Sequence, residues 1–145
     1  MTQALLPFSP AWAAAFRDAI ARDTAYREAS SGWSWPMALV LDAAPTMGYD
    51  EAVAVELALD RGHCTAAQIL HADVVTAPFV LRAAYGTWKQ VVKGELDPLA
   101  GVTRGWIKVK GSLFTLLLHS RSARALCACA RHVPTHFPDE PPSGA

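Results

Sequence analysis

The residues that could do chemistry are few, and their spacing suits little of it. His63, Cys64 and His71 invite a metal reading. A tetrahedral site wants three or four converging ligands, often as paired cysteines two to four residues apart. His63 and Cys64 are neighbours in an expected turn, where adjacent side chains diverge. Cys127 and Cys129 lie two apart on an expected helix. Their side chains therefore point about 200° apart and share neither an ion nor a disulfide. A Cys–His nucleophile pair is allowed by arithmetic alone, and a Cys is often a small buried hydrophobe. No G-x-S-x-G, P-loop or G-x-G-x-x-G run occurs, and Gly101 and Gly105 are too sparse to cradle phosphate. Asp73 could hold a ligand head group, although capping and turn formation are its commoner uses. No catalytic residue, cofactor or metal ion is therefore expected. Arg104, Trp106, Lys108 and Lys110 make a small basic patch with an aromatic. It suits a transient membrane contact or a solvated strand face.

Composition narrows the classes further. The chain has 145 residues, with 13 basic and 13 acidic side chains that cancel. Nucleic-acid binding needs a basic footprint that this balance does not supply. Residues are 52% hydrophobic and only 18% charged, against about 25% charged in ordinary soluble domains. The length suits one domain, expected over residues 1–135. Residues 136–145, with Pro138, Pro141, Pro142 and Gly144 and no apolar period, read as a disordered tail. The apolar runs Met1–Phe16 and Ala29–Leu41 are broken by prolines and fall short of the roughly 18–20 residues a spanning helix needs. No Lys or Arg precedes Arg17, so no secretory signal is expected. Cys64, Cys127 and Cys129 are an odd set without framework spacing, which predicts free thiols and a cytoplasmic location.

The elements follow from periodicity. Ser9 and Pro10 open a helix expected over Pro10–Ser30, its stripe carried by Trp12, Phe16, Ala19 and Tyr26 and blurred by Asp23 and Arg27. Alternation predicts strands at Trp35–Asp42 and Val53–Asp60. Arg61-Gly62 reverses the chain into a strand at Thr65–Asp73 whose alternation is poor. A short strand is expected near Val74–Ala77. Val80, Ala84, Trp88, Val91 and Val92 recur at helical spacing and predict a helix over Pro78–Lys93. Asp97-Pro98 caps a short turn or helix. Trp106–Lys110 reads as a strand, and Leu113–Arg131 as a last helix. Adjacent strands joined by a tight turn pair antiparallel. The fold class is α+β, with helices covering one face of the sheet.

The last helix carries too much grease. On a wheel, Leu113, Leu116, Leu117 and Cys127 share a face, while Phe114 and Leu118 project from another. A helix that is apolar all round is buried on several sides. Three destinations follow: the core, a dimer interface, or the wall of a cavity for an apolar ligand.

The stretch from Ala72 to Leu126 resembles the sterol carrier protein 2 family. The residues that carry the likeness are Ala72-Asp73, the apolar helix ending in Trp88-Lys-Gln-Val-Val-Lys-Gly94, Asp97-Pro98, the run Gly105-Trp-Ile-Lys-Val-Lys-Gly111 and the apolar helix from Ser112. Ser112 stands where the family often has Asp. The helix over Ser9–Ser31 is similar to that of stand-alone bacterial members. The resemblance implies a five-stranded, mostly antiparallel sheet covered by helices, and a tunnel for sterols, fatty acyl chains or similar lipids, with no catalytic residues. It implies a non-enzymatic lipid binder or carrier. The alternative is a dimerisation or interaction module with a filled core, an enzyme's partner. The expected cavity walls are Val55, Leu57, Phe79, Ala83, Trp88, Phe114, Leu117 and Leu118. Trp33 and Trp35 either gate that cavity or close the core.

Overall fold

The structure, a computed structural model, describes residues 3–141. Its elements are α1 (Pro10–Ala21), α2 (Thr24–Ala29), β1 (Met37–Leu41), β2 (Val53–Asp60), β3 (His63–His71), β4 (Phe79–Ala83), α3 (Tyr85–Val92), α4 (Pro98–Thr103), β5 (Lys108–Lys110), α5 (Leu113–Leu118) and α6 (Ser120–Cys129). The strands form one sheet in the order β3-β2-β1-β4-β5. Three of its pairings are antiparallel, and β1 with β4 is parallel. The α+β class and the mostly antiparallel five-stranded sheet are as expected.

The sheet has two unlike faces. Leu39, Val55 and Leu81 are aligned across three strands. With Leu57, Phe79 and Ala83 they join Trp12, Phe16, Trp88 and Leu126 from the helices in one core. Ala38, Val40 and Ala54 lie on the opposite face and are also buried. The crossover from β3 to β4 runs across that face. Its Thr76 amide donates to Glu56 Oε2 at 3.4 Å, and its Val75 lines a cleft with Val40.

Four expected elements change. The first helix breaks at Arg22-Asp23, because Asp23 Oδ1 accepts from the Tyr26 amide at 2.8 Å and caps α2. Residues 79–83 are strand, not the first turn of a helix. Phe79, Leu81 and Ala83 are buried while Val80 and Arg82 are less so. That is a period of two, hidden in the sequence by the chance helical spacing of Val80, Ala84 and Trp88. The short strand expected near Val74–Ala77 is instead a turn, Ala72–Val74, and extended crossover. The last helix breaks at His119, whose ring stacks edge-on to Trp33 and Trp35 at 5.4 and 5.9 Å. The poor alternation of β3 has its cause in a register shift opposite Leu57–Leu59. The β2–β3 turn is as read: Arg61 and Gly62 both take positive φ.

The C-terminal segment departs from the expected tail. His136 donates from its amide to Leu5 O at 2.8 Å, and Phe137 is only 5% exposed in the core. Asp139 accepts from Tyr85 Oη at 2.6 Å and from Lys89 Nζ at 2.8 Å. Glu140 pairs with Lys89 and Lys93. An apolar anchor and these ion pairs outweigh the prolines that suggested disorder. Residues 142–145 of the expected tail lie outside the described residues.

Two outcomes follow from this clip. Phe137→Ala should lower unfolding free energy by about 3 kcal/mol or more, read by urea denaturation; an unordered tail would give no change. The Lys89 ammonium holds the Asp139 and Glu140 carboxyls below their ordinary values of 3.8 and 4.5, with Tyr85 and Lys93 adding to the effect. A depressed carboxyl stabilises the fold above its ordinary pKa and loses that contribution as pH falls through the lowered one. Amide exchange at Phe137, Asp139 and Glu140 should therefore be slow at neutral pH and accelerate on acidification below about pH 4, relative to the core.

Candidate functional site

The eight expected wall residues separate into two groups. Val55 and Leu57 on β2, Phe79 and Ala83 on β4, and Trp88 on α3 are all inside the core, none more than 5% exposed. Trp88 Nε1 donates to Val40 O at 2.8 Å, the partner a buried indole N–H requires. These five belong to the same buried cluster as Trp12 and Phe16 of α1 and Leu126 of α6. Phe114, Leu117 and Leu118 are on α5 and face outward, at 72%, 46% and 67% exposure. Of the six residues of α5, Leu116 alone is buried. The all-round apolar pattern of Leu113–Leu118 thus marks an exposed helix, not one covered on several sides.

The position of α5 is built by its two ends. Gly111 has φ +113°, and a Cβ there would meet Pro78 O at 2.6 Å. Only glycine lets β5 turn this tightly against the start of β4. Ser112 Oγ then accepts from the Thr115 amide at 3.1 Å and caps the helix. At the other end His119 interrupts the helix, and α6 turns back to bury Ser122 against Ser30 with a 2.6 Å hydroxyl pair. Between these fixed points α5 buries Leu116 and leaves Leu113, Phe114, Leu117 and Leu118 exposed. An aromatic cluster joins the start of β4 to the His119 break. Trp33 lies 4.7 Å from Phe79 and 5.0 Å from Trp35, and its Nε1 donates to Trp35 O at 2.7 Å. Trp33 is buried at 2% exposure, and Trp35 is half-buried against the core.

Other surfaces carry different chemistry. A cleft of about 300 Å³ on the outer sheet face is lined by Val40, Val75, Val80, Arg82, Lys108 and Lys110. Arg82 is already paired with Asp42. A wider groove of about 570 Å³ lies beside the C-terminal clip, lined by Val92, Ala130, Val133 and Phe137 with Lys93, Arg131 and Glu140 at its rim. The sequence reading missed the clip because its lysines and carboxylates are about 50 residues apart.

The thiols are poor nucleophiles. Burial pushes Cys64 up to about 11, and Cys127 and Cys129 to about 12, so a thiolate is rare near neutrality. His71 Nδ1 lies 3.1 Å from Glu51 on the exposed surface. Among the described residues no three His, Cys, Asp or Glu side chains gather to hold an ion. Trp106 is apart from α5 in role: the Arg104 guanidinium lies over its ring at 5.1 Å.

The likeness of the chain is to solved structures; no family profile and no curated sequence matches it. A crystal structure of sterol carrier protein 2 superposes with a TM-score of 0.84 at 34% identity, covering 88% of this chain and 98% of that one. The solution structure of a conserved hypothetical protein from Thermus thermophilus, described as possibly a sterol carrier protein, gives the same TM-score at 33% identity, over 99% of this chain and 97% of that one. The chain belongs to the sterol carrier protein 2 family. A more distant member, the apo form of sterol carrier protein 2 from Yarrowia lipolytica, shares the fold at a TM-score of 0.54 and 14% identity, over 81% of this chain and 87% of that one.

Within this family fold, the position of Ala83 makes a sharp test of core against cavity. Ala83 is 2% exposed on the helix-facing side of β4. Ala83→Phe should cost about 1–3 kcal/mol by overpacking. A melting temperature equal to the parent's would show unfilled space there.

Proposed function

We propose that this chain is a non-enzymatic binder or carrier of a lipid, a sterol or fatty acyl compound, which it takes up against the exposed face of α5. The observation that carries the reading is α5 itself. Leu113, Phe114, Leu117 and Leu118 expose 46–72% of their surface on a two-turn helix held at Gly111 and His119. Each buried CH₂ of an acyl chain gains about 0.8 kcal/mol on leaving water, and the α5 side chains gain in the same step. The half-buried Trp35, packed on Trp33 and His119, is the aromatic surface beside α5. The name of one similar structure, sterol carrier protein 2, and the description of another as possibly a sterol carrier protein support the ligand class. The raised pKa values of the buried thiols support binding without covalent catalysis. The three free thiols support a reducing compartment, the cytoplasm.

A homodimer or interaction module is the second reading, favoured by the same exposed helix. Native mass spectrometry followed by organic extraction separates the two. A stoichiometric lipid on a monomer supports the carrier; a ligand-free dimer supports the module. Burying or freeing one Leu or Phe is worth about 1.5–3 kcal/mol. Phe114→Asp with Leu118→Asp should therefore weaken binding of a fluorescent fatty acid by roughly tenfold or more, with the melting temperature within a few degrees of the parent. Unchanged affinity would move the ligand away from α5.

A further inference from the structure

We propose that α5 is also the surface by which the protein docks on an anionic lipid bilayer, an inference that rests on the carrier reading and names where its lipid is exchanged. The first observation is the outward apolar set, Leu113, Phe114, Leu117 and Leu118, on a helix with no charged residue. The second is independent of it. From Pro98 to Pro138 the sequence contains no Asp or Glu, yet it carries Arg104, Lys108, Lys110, Arg121, Arg124 and Arg131. The chain as a whole is neutral, so its positive charge is concentrated in this segment. Lys108 and Lys110 precede α5, and Arg121 opens α6 just after it; all three are exposed. Among the described residues none of the three has a carboxylate within ion-pair distance, whereas Arg124 is paired with Asp97 at 2.9 Å.

Apolar side chains flanked by unpaired cations fit a bilayer surface. An interfacial helix buries its apolar face about 5–10 Å into the boundary between headgroups and acyl chains, and nearby basic residues add attraction to anionic lipid. A second copy fits less well. A six-residue helix offers less area than the roughly 800 Å² that a stable interface buries on each partner, and pairing α5 with itself would bring Lys110 and Arg121 of two chains together. Docking through α5 places the helix that holds the lipid against the source of that lipid.

The test is co-sedimentation of the full chain with neutral phosphatidylcholine vesicles and with vesicles containing about one-third phosphatidylglycerol, at low and high salt. Binding should favour the anionic vesicles and fall with salt. Lys110→Glu with Arg121→Glu should lower vesicle binding by roughly tenfold or more, since each basic residue near the surface contributes about 1 kcal/mol, while fatty-acid binding in vesicle-free buffer and the melting temperature stay at the parent's values. Phe114→Asp with Leu118→Asp should abolish vesicle binding in a chain that still melts cooperatively. Equal affinity for both vesicle types, or vesicle binding untouched by either double variant, overturns the proposal. So does a parent dimer that Phe114→Asp with Leu118→Asp converts to monomer. Fatty-acid binding without vesicle binding defeats the docking alone, and vesicle binding without fatty-acid binding defeats the carrier reading alone.

Discussion

The parallel pairing of β1 with β4 is the constraint on which the rest of the fold depends. All five residues of β1 are buried, because the strand is flanked by β2 and β4 and covered on both faces. Parallel neighbours cannot be joined by a tight turn. The chain therefore completes the β2–β3 hairpin first and returns across the outer sheet face to reach β4. That return passes Glu56 and shares a cleft with Val40 through Ala72 and Val75, and it leaves the opposite face for the helices. It also sets β4 beside β5, so that Gly111 can bring the chain against Pro78 and start α5 at the sheet's end. The location of the exposed helix is thus a consequence of one strand pairing.

The antiparallel hairpin was legible because its information is local. Val53, Val55, Leu57 and Leu59 alternate cleanly, and Arg61-Gly62 has the turn chemistry that the register requires. The strand β4 was not legible, although Phe79, Leu81 and Ala83 also alternate. Five residues at period two overlap a second pattern at period 3.6, and the sequence alone offers no way to choose between them. The choice is made by β1, which is far away in sequence and needs a partner on its free edge. The C-terminal clip is hidden for a similar reason. Pro138 and Asp139 look like tail chemistry until Lys89, Lys93 and Tyr85 are brought to meet them.

The family likeness carried the five-stranded sheet and its helices, although β4 was read as the start of a helix and α5 and α6 as one helix. Five of the expected wall residues are buried in the core, at 0% to 5% exposure. The other three stand in solvent. Periodicity explains why reading could not tell these cases apart. An apolar stripe states that a side chain gains by leaving water; it does not state what will cover it. Val55 and Phe114 carry the same signal, and only the topology assigns one to Trp12 and Phe16 and the other to nothing within the chain.

That difference is itself the physical argument for function. Exposed apolar area is tolerated in small amounts on monomers, up to a few hundred Å² in one patch, and a six-residue helix is within that limit. Yet covering α5 would have been easy in structural terms: the turn at Gly111 already brings the chain back to Pro78, and α6 packs against α2 immediately after His119. The break at His119 separates the exposed α5 from α6, which buries Ala123 and Leu126. The fold instead packs the residues after the break and leaves those before it outside. An apolar segment left exposed between two fixed ends keeps the hydrophobic free energy that burial would have released, and that unreleased term is the physical ground for the proposed contact with an apolar or amphiphilic molecule.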